Sequence, residues 1–229
     1  MRCRLLSAAT STALLAAAVA SASAANTLSN PTHNLSPSRA TLFACLAPSG
    51  AQLSCEVHAR ADIARARRRE GLAPLSLPRR FAKLSVAEQL LAIADDERVD
   101  RGLPPALGLT RRLDSAAHTA AVGEQDPLGP AGYSWGSNWA GGSHSALFAD
   151  FVWMYDDGPG AENGDCLKPG EPGCWGHREN VLARLPVPIA MGAGVRGKSL
   201  TELFVGGYRP AMPGGADPLL SPSWAQLSA

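Results

Sequence analysis

Apolar positions recur at helical spacing along the middle of the chain and at strand spacing near its end. Val86, Leu90, Ile93 and Ala94 fall three or four residues apart behind a Ser85/Glu88 pair with capping-box spacing, and the run stops at Gly102-Leu103-Pro104-Pro105. A second helix is predicted over Leu113–Gly123, where Ala116, Ala117, Ala120 and Ala121 allow close packing. A third runs from Ser145 to Tyr155, with Leu147, Phe148, Phe151, Val152 and Tyr155 on its apolar side. Upstream, Glu56–Glu70 predicts a helix closed by Gly71 and Pro74, and a short helix is expected from His177 to Ala183. Ile189–Val195 and Leu200–Val205, joined by Arg196-Gly197-Lys198-Ser199, read as a hairpin. Between the second and third helices, Leu128–Gly142 alternates Gly with Tyr133, Trp135 and Trp139 and reads as a loop presenting large rings. Helices first and strands last, without regular βα alternation, imply an α+β fold with helices packed on a small antiparallel sheet.

The ends differ in kind. Arg2 and Arg4 precede the apolar stretch Leu5–Val19 and a small-residue run with an Ala-x-Ala pattern at Ala22 and Ala24, so residues 1–24 read as a secretory signal peptide. Its apolar core is shorter than the ~20 residues a membrane-spanning helix needs. No later segment is apolar enough to span, so the expected product is secreted, extracellular and without a transmembrane anchor after signal removal. Residues 25–41, rich in Ser, Asn, Pro and Thr, are expected to be a disordered spacer, with Asn34-Leu35-Ser36 as a glycosylation sequon. Residues 42–83 form an N-terminal extension with a basic helix, whose Arg60, Arg65, Arg67, Arg68 and Arg69 are expected on a solvated face. The Pro- and Gly-rich tail, 210–229, is expected to be loose.

Composition narrows the function classes. Of 229 residues, 21 are basic and 20 acidic, a net charge of +1 that gives no field to attract a phosphate backbone, and no nucleic-acid partner is expected. Of the five cysteines, Cys3 leaves with the leader, and Cys45, Cys55, Cys166 and Cys174 remain as an even set for an oxidising compartment. Three connectivities are open; the local pairs Cys45–Cys55 and Cys166–Cys174 are favoured because each encloses Pro and Gly able to reverse the chain. Cys166, Cys174 and His177 lack the close Cys pair and the fourth ligand of a zinc-thiolate site.

Familiar motifs mostly fail on context. Gly192-Ala193-Gly194-Val195-Arg196-Gly197 matches the dinucleotide fingerprint, but a strand follows where a helix is required, so its glycines read as close packing and a turn. His-Glu-x-x-His and Gly-x-Ser-x-Gly are absent, and His177-Arg178-Glu179 lacks the Pro-Cys-x-x-Cys of a deaminase. What remains is Gly176-His177-Arg178-Glu179-Asn180-Val181-Leu182, a His at a helix start behind a cysteine-bounded loop rich in Asp, Glu and Gly. Such a His can act as base, metal ligand or loop-fixing partner.

Glu97-Arg98-Val99-Asp100-Arg101-Gly102-Leu103-Pro104, the Ala-rich helix and that His177 segment together resemble the CAP superfamily, the bacterial SCP-like extracellular domains, over residues 84–209. The resemblance implies a three-layer α-β-α sandwich. It also implies a cleft of two His and two acids that can bind a divalent metal. In this sequence the second His is His177, and the acid behind a Trp on the third helix is Asp156, with Asp157 beside it. The first His falls in Asp126-Pro127-Leu128-Gly129-Pro130, where there is none, and Gly136-Ser137-Asn138-Trp139-Ala140 stands for the family's Gly-Glu-Asn segment. His177 and Asp156 are thus the candidate metal ligands for Ca²⁺ or Zn²⁺, a set too small for a tight transition-metal site. Asp156, Asp157, Glu162 and Asp165 offer oxygens for a hard ion, and His118 or His144 could replace the missing His in space.

The expected function is binding of an extracellular or cell-envelope ligand, a carbohydrate, lipid or peptide, by a monomer. The degenerate His/acid cleft would be lined by Trp135, Ser137, Asn138, Trp139, Asp156, Asp157, His177 and Glu179. Catalysis is not required by these residues. The alternative is a hydrolase of peptidase or esterase type, with or without a divalent metal, in which His177 is general base, Asp156 or Glu179 supports it, and Ser137 or water is the nucleophile. A third reading gives the contacts to the basic N-terminal helix.

Overall fold

The computed structural model describes residues 28–47, 52–208, 211–212, 215–217 and 219–220; the expected signal peptide, 1–24, lies outside them. Side-chain caps fix most helix starts. Ser38 caps α1 (Arg39–Leu46) by accepting from the Thr41 amide, and α2 (Gln52–Arg69) follows. After a short 3₁₀ turn at Phe81–Lys83, Ser85 and Glu88 form the predicted capping box of α3 (Val86–Val99). Thr110 caps α4 (Arg111–Gly123), and Ser145 caps α5 (Ala146–Tyr155). The last helix, α6 (Gly176–Val181), starts from Trp175 in the left-handed region at φ 66°.

The sheet has three antiparallel strands in the order β1-β3-β2, with β1 at Ser134–Ala140, β2 at Ile189–Arg196 and β3 at Ser199–Gly206. The hairpin is as predicted and turns at Gly197, φ 57°. The stretch expected as a loop at Leu128–Gly142 is instead half strand: Ser134-Trp135-Gly136-Ser137-Asn138-Trp139-Ala140 has little β propensity of its own and is held by its ladder to β3.

Helices cover both faces of the sheet. On one, Ala190, Leu203 and Val205 pack with Leu113 and Tyr208, and a Cβ at Gly192 or Gly194 would land on the backbone of Leu113 or Ala117. These glycines let α4 lie against the strands, and Thr201 Oγ1 donates to the Ala117 carbonyl at 2.8 Å. On the other, Met191, Ala193, Leu200 and Phe204 join the larger core of α3 and α5. The fold is α+β, layered helix, sheet, helix.

Both disulfides pair locally, Cys45–Cys55 and Cys166–Cys174. The first joins α1 to α2. The basic helix α2 differs from expectation at Arg67, which is fully buried. Its guanidinium binds Glu97 Oε2 at 2.5 Å, the Asp100 carboxylate and the Ala73 carbonyl at 2.7 Å. Residues 28–38, expected as spacer, run along the fold: the Leu35 amide donates to the Tyr155 carbonyl at 2.8 Å, and Asn34 donates to the Gly158 and Pro159 carbonyls. The sequon side chain is therefore committed to structure. In the tail, the Leu220 amide donates to the Leu109 carbonyl and Asp217 accepts from the Arg112 amide, docking that segment at the start of α4.

Candidate functional site

Where α5 ends, Asp157 sets up α6. Its Oδ2 accepts from the backbone amides of His177, 2.9 Å, and Arg178, 3.3 Å, groups that a helix start leaves without partners. Its Oδ1 accepts from His177 Nδ1 and from Asn163 Nδ2, each at 2.6 Å. A carboxylate can only accept, so Nδ1 carries the proton and Nε2 of the neutral ring keeps a lone pair. Asn163 also donates to the Asp157 and Gly173 carbonyls. It thereby pins the loop that Cys166–Cys174 closes.

Beneath α6 lies a second polar layer. Asn138 on β1 donates to the His177 carbonyl at 3.1 Å and to Glu202 on β3 at 2.7 Å, and Asn180 donates to the Ser137 carbonyl and to Asn138 Oδ1. Gly136 leaves room for Asn180, which a Cβ would strike. Glu202 is fully buried, and burial pushes its carboxyl up to about 8, against the hydrogen bond from Asn138. Burial disfavours the His177 imidazolium, yet the hydrogen bond and charge of Asp157, with the charges of Asp126 and Asp165, leave its pKa above the usual value.

His177 opens onto a cleft of about 570 Å³. Its apolar lining comes from Leu42 and Leu46 of α1 and from Phe148, Val152 and Trp153 of α5. Its acidic lining is Asp126, Asp156, Asp157, Glu162 and Asp165. Asp156 Oδ1 is shielded from water with no hydrogen-bond partner. Burial and the neighbouring charges of Glu162 and Asp157 raise that carboxyl to about 6.

Of the residues named from sequence, Asp156, Asp157 and His177 meet at the cleft, and buried Asn138 supports them from below. The carboxylate that holds His177 is Asp157; Asp156 stands free beside it. The side chains of Trp135, Ser137 and Trp139 do not join them, although Trp139 lines the cleft with its backbone. Strand alternation turns all three toward the face that α4 covers, opposite Asn138 and Glu202, and there Trp139 Nε1 donates to Ser199 Oγ at 2.8 Å, so Ser137 cannot serve His177 as nucleophile. Glu179 points outward and accepts from the Asn30 side chain. His144 hydrogen-bonds the Gly197 carbonyl, and His118 sits on α4; neither lines the cleft. The sequence reading passed over Asp126, which lines the cleft and whose charge acts on His177. Its position, in the segment where the resemblance expected a His, was the available signal. Glu202 and the α1 wall gave none, because both are brought in by the tertiary fold.

The divalent metal implied by the resemblance was tested against this donor set. Among the described residues, no group of three or more His, Cys, Asp or Glu side chains could hold a metal ion. Cys166 and Cys174 are joined in a disulfide, and Asp157 is committed to His177, Asn163 and two amides. The residues do not fit a resident metal. No helix among the described residues is long and apolar enough to cross a membrane.

No protein-family model and no curated protein matches the chain. Among solved structures, it is similar to an extracellular protein containing an SCP domain from Bacillus anthracis str. Ames. The identity is 16% and the TM-score 0.39, over 53% of this chain and 40% of that one. The chain thus spans less than half the length of that protein.

Proposed function

We propose that this chain is a secreted CAP-type, SCP-like domain that binds an extracellular or cell-envelope ligand in the cleft between α1, α5 and His177. The carrying observation is that the cleft brings Asp156, Asp157 and His177 together with apolar side chains of α1 and α5 around about 570 Å³, a volume suited to a small ligand or a peptide side chain. The resemblance in the His177 segment and the paired cysteines support the family and the exported compartment. Immobilised wild-type protein is expected to retain material from an envelope extract that a Leu46→Ser/His177→Ala double variant does not. Equal retention by both would sink the cleft reading. A tag fused after Ala229 recovered only from the cytoplasmic fraction would sink the exported one.

One observation favours hydrolysis as a second reading: His177 Nδ1 is held by Asp157 at 2.6 Å while Nε2 has no hydrogen-bond partner among the described residues. With Ser137 on the far face, the nucleophile would be a water that His177 deprotonates. Under this reading, Asp157→Asn lowers kcat on a hydrolysed peptide or ester far more than it raises KM. Turnover unchanged in that variant, or absent from the wild type, removes it.

A further inference from the structure

Among the described residues that line the cleft, five carry carboxylates and the only basic side chain is His177, already engaged by Asp157. Asp157 is thereby balanced; Asp156 and Glu162 are not. Asp156 has an oxygen withdrawn from water without a hydrogen-bond donor. A half-buried, unmatched carboxylate of this kind is an unfavourable arrangement that a charged donor relieves. The carboxylates are too dispersed to wrap a metal ion. The rest of the lining includes Leu42, Leu46, Phe148, Val152 and Trp153, which offer a metal ion nothing.

We infer that the cleft is a site for organic cations with an apolar arm, an ammonium or guanidinium group seated on Asp156 and Glu162 with its hydrocarbon or aromatic portion against the α1/α5 wall. The inference rests on the proposed cleft-binding function and specifies its ligand class. The shape suits a primary amine or a Lys or Arg side chain of a peptide: the head supplies the donors that Asp156 lacks, and the arm removes Leu42 and Leu46 from water. Both leucines come from the N-terminal helix, at 38% and 41% exposure, enough for an arm to cover further.

The test uses three probes with one body and different heads: 4-phenylbutylamine, 4-phenylbutanol and 4-phenylbutyrate, titrated by calorimetry into the oxidised protein at pH 7.5, with Zn²⁺ and Ca²⁺ as separate titrants. The amine is expected to bind at least about tenfold more tightly than the alcohol, consistent with one charge-assisted contact, and the carboxylate least. Asp156→Asn should remove most of that preference while leaving alcohol binding unchanged. Leu46→Ser should weaken amine and alcohol alike. Glu162→Gln, on a partly exposed side chain, repeats the charge test should Asp156→Asn not fold. Amine and alcohol binding equally would overturn the cation class and leave the cleft-binding function standing. No probe binding in the cleft would sink both. Zn²⁺ or Ca²⁺ competing with the amine at Asp156 would overturn the organic cation in favour of a metal.

Discussion

Asp157 meets demands that no neighbouring side chain can take over, because one carboxylate satisfies the helix start at His177 and Arg178, the imidazole and Asn163. Asp157→Ala leaves those donors buried without partners, and should cost on the order of 2 kcal/mol or more in thermal or urea unfolding. The same change should lower the His177 pKa read by NMR, since Asp157 supplies the hydrogen bond and charge that outweigh its burial. An unshifted titration would show that the ring is held some other way. Glu202 makes the opposite kind of prediction. Burial raises its pKa from 4.5 to about 8, against the pull of Asn138, His177 and Arg98, so the folded protein keeps a proton that the unfolded chain releases above pH 4.5. Stability from this group is complete below that value and falls as pH rises to about 8, by up to about 1.4 kcal/mol per pH unit. Glu202→Gln, which keeps an oxygen to accept from Asn138, should flatten that slope in urea unfolding measured between pH 5 and 9. An unchanged slope would mean that Glu202 is ionised in the fold.

At the scale of elements, what could be read in the sequence was whatever local chemistry determines. Ser85 with Glu88 announces α3, Ser145 opens α5, and Gly197 turns the hairpin, each by bonds made within a few residues. The His177 segment and Asp156 were also legible, as residue types in order. β1 was not, because its Gly, Ser and Asn residues acquire strand geometry from pairing with β3, more than sixty residues away in sequence. For the same reason Ser137 looked like a neighbour of His177, when only strand pairing decides which face it takes. The glycines of β2 could be assigned to packing but not to a partner, and the partner is α4. Gly194→Ala would set a methyl on the Ala117 carbonyl, so it should force α4 off the sheet and cost about 1–3 kcal/mol. Gly160→Ala, where a Cβ meets nothing but the backbone has φ +86°, serves as a comparison in which only backbone strain acts. A Gly194→Ala protein as stable as wild type would show that α4 can shift freely.

The N-terminal extension belongs to the same structure as the cleft, and the reason is electrostatic. Arg67 and Glu70 of the α2 region reach under α3 and α6: Arg67 binds Glu97, Arg101 binds both Glu97 and Glu70, and Arg178, the residue after His177, pairs with Glu70 at 2.9 Å. Tyr155 donates to Glu97 at 2.8 Å and completes the set at the end of α5. Arg67, Glu97 and Arg101 have no exposed side-chain surface, so none can exchange its partner for water without the fold opening. Removing one partner of a buried ion pair commonly costs about 3–5 kcal/mol, since the other charge stays behind. Arg67→Ala should therefore destabilise the protein by an amount in that range, whereas Arg68→Ala, on the exposed side of the same helix, should change little. A chain beginning at Leu84 loses Arg67 and Glu70 together, along with Leu42 and Leu46 from the cleft wall. It leaves Glu97 and Arg101 partly unmatched and one side of α5 bare, and it should give no cooperative unfolding transition by circular dichroism. If that shortened chain unfolds cooperatively with near wild-type stability, the ion-pair set is dispensable, and residues before Leu84 act only as a removable wall of the cleft.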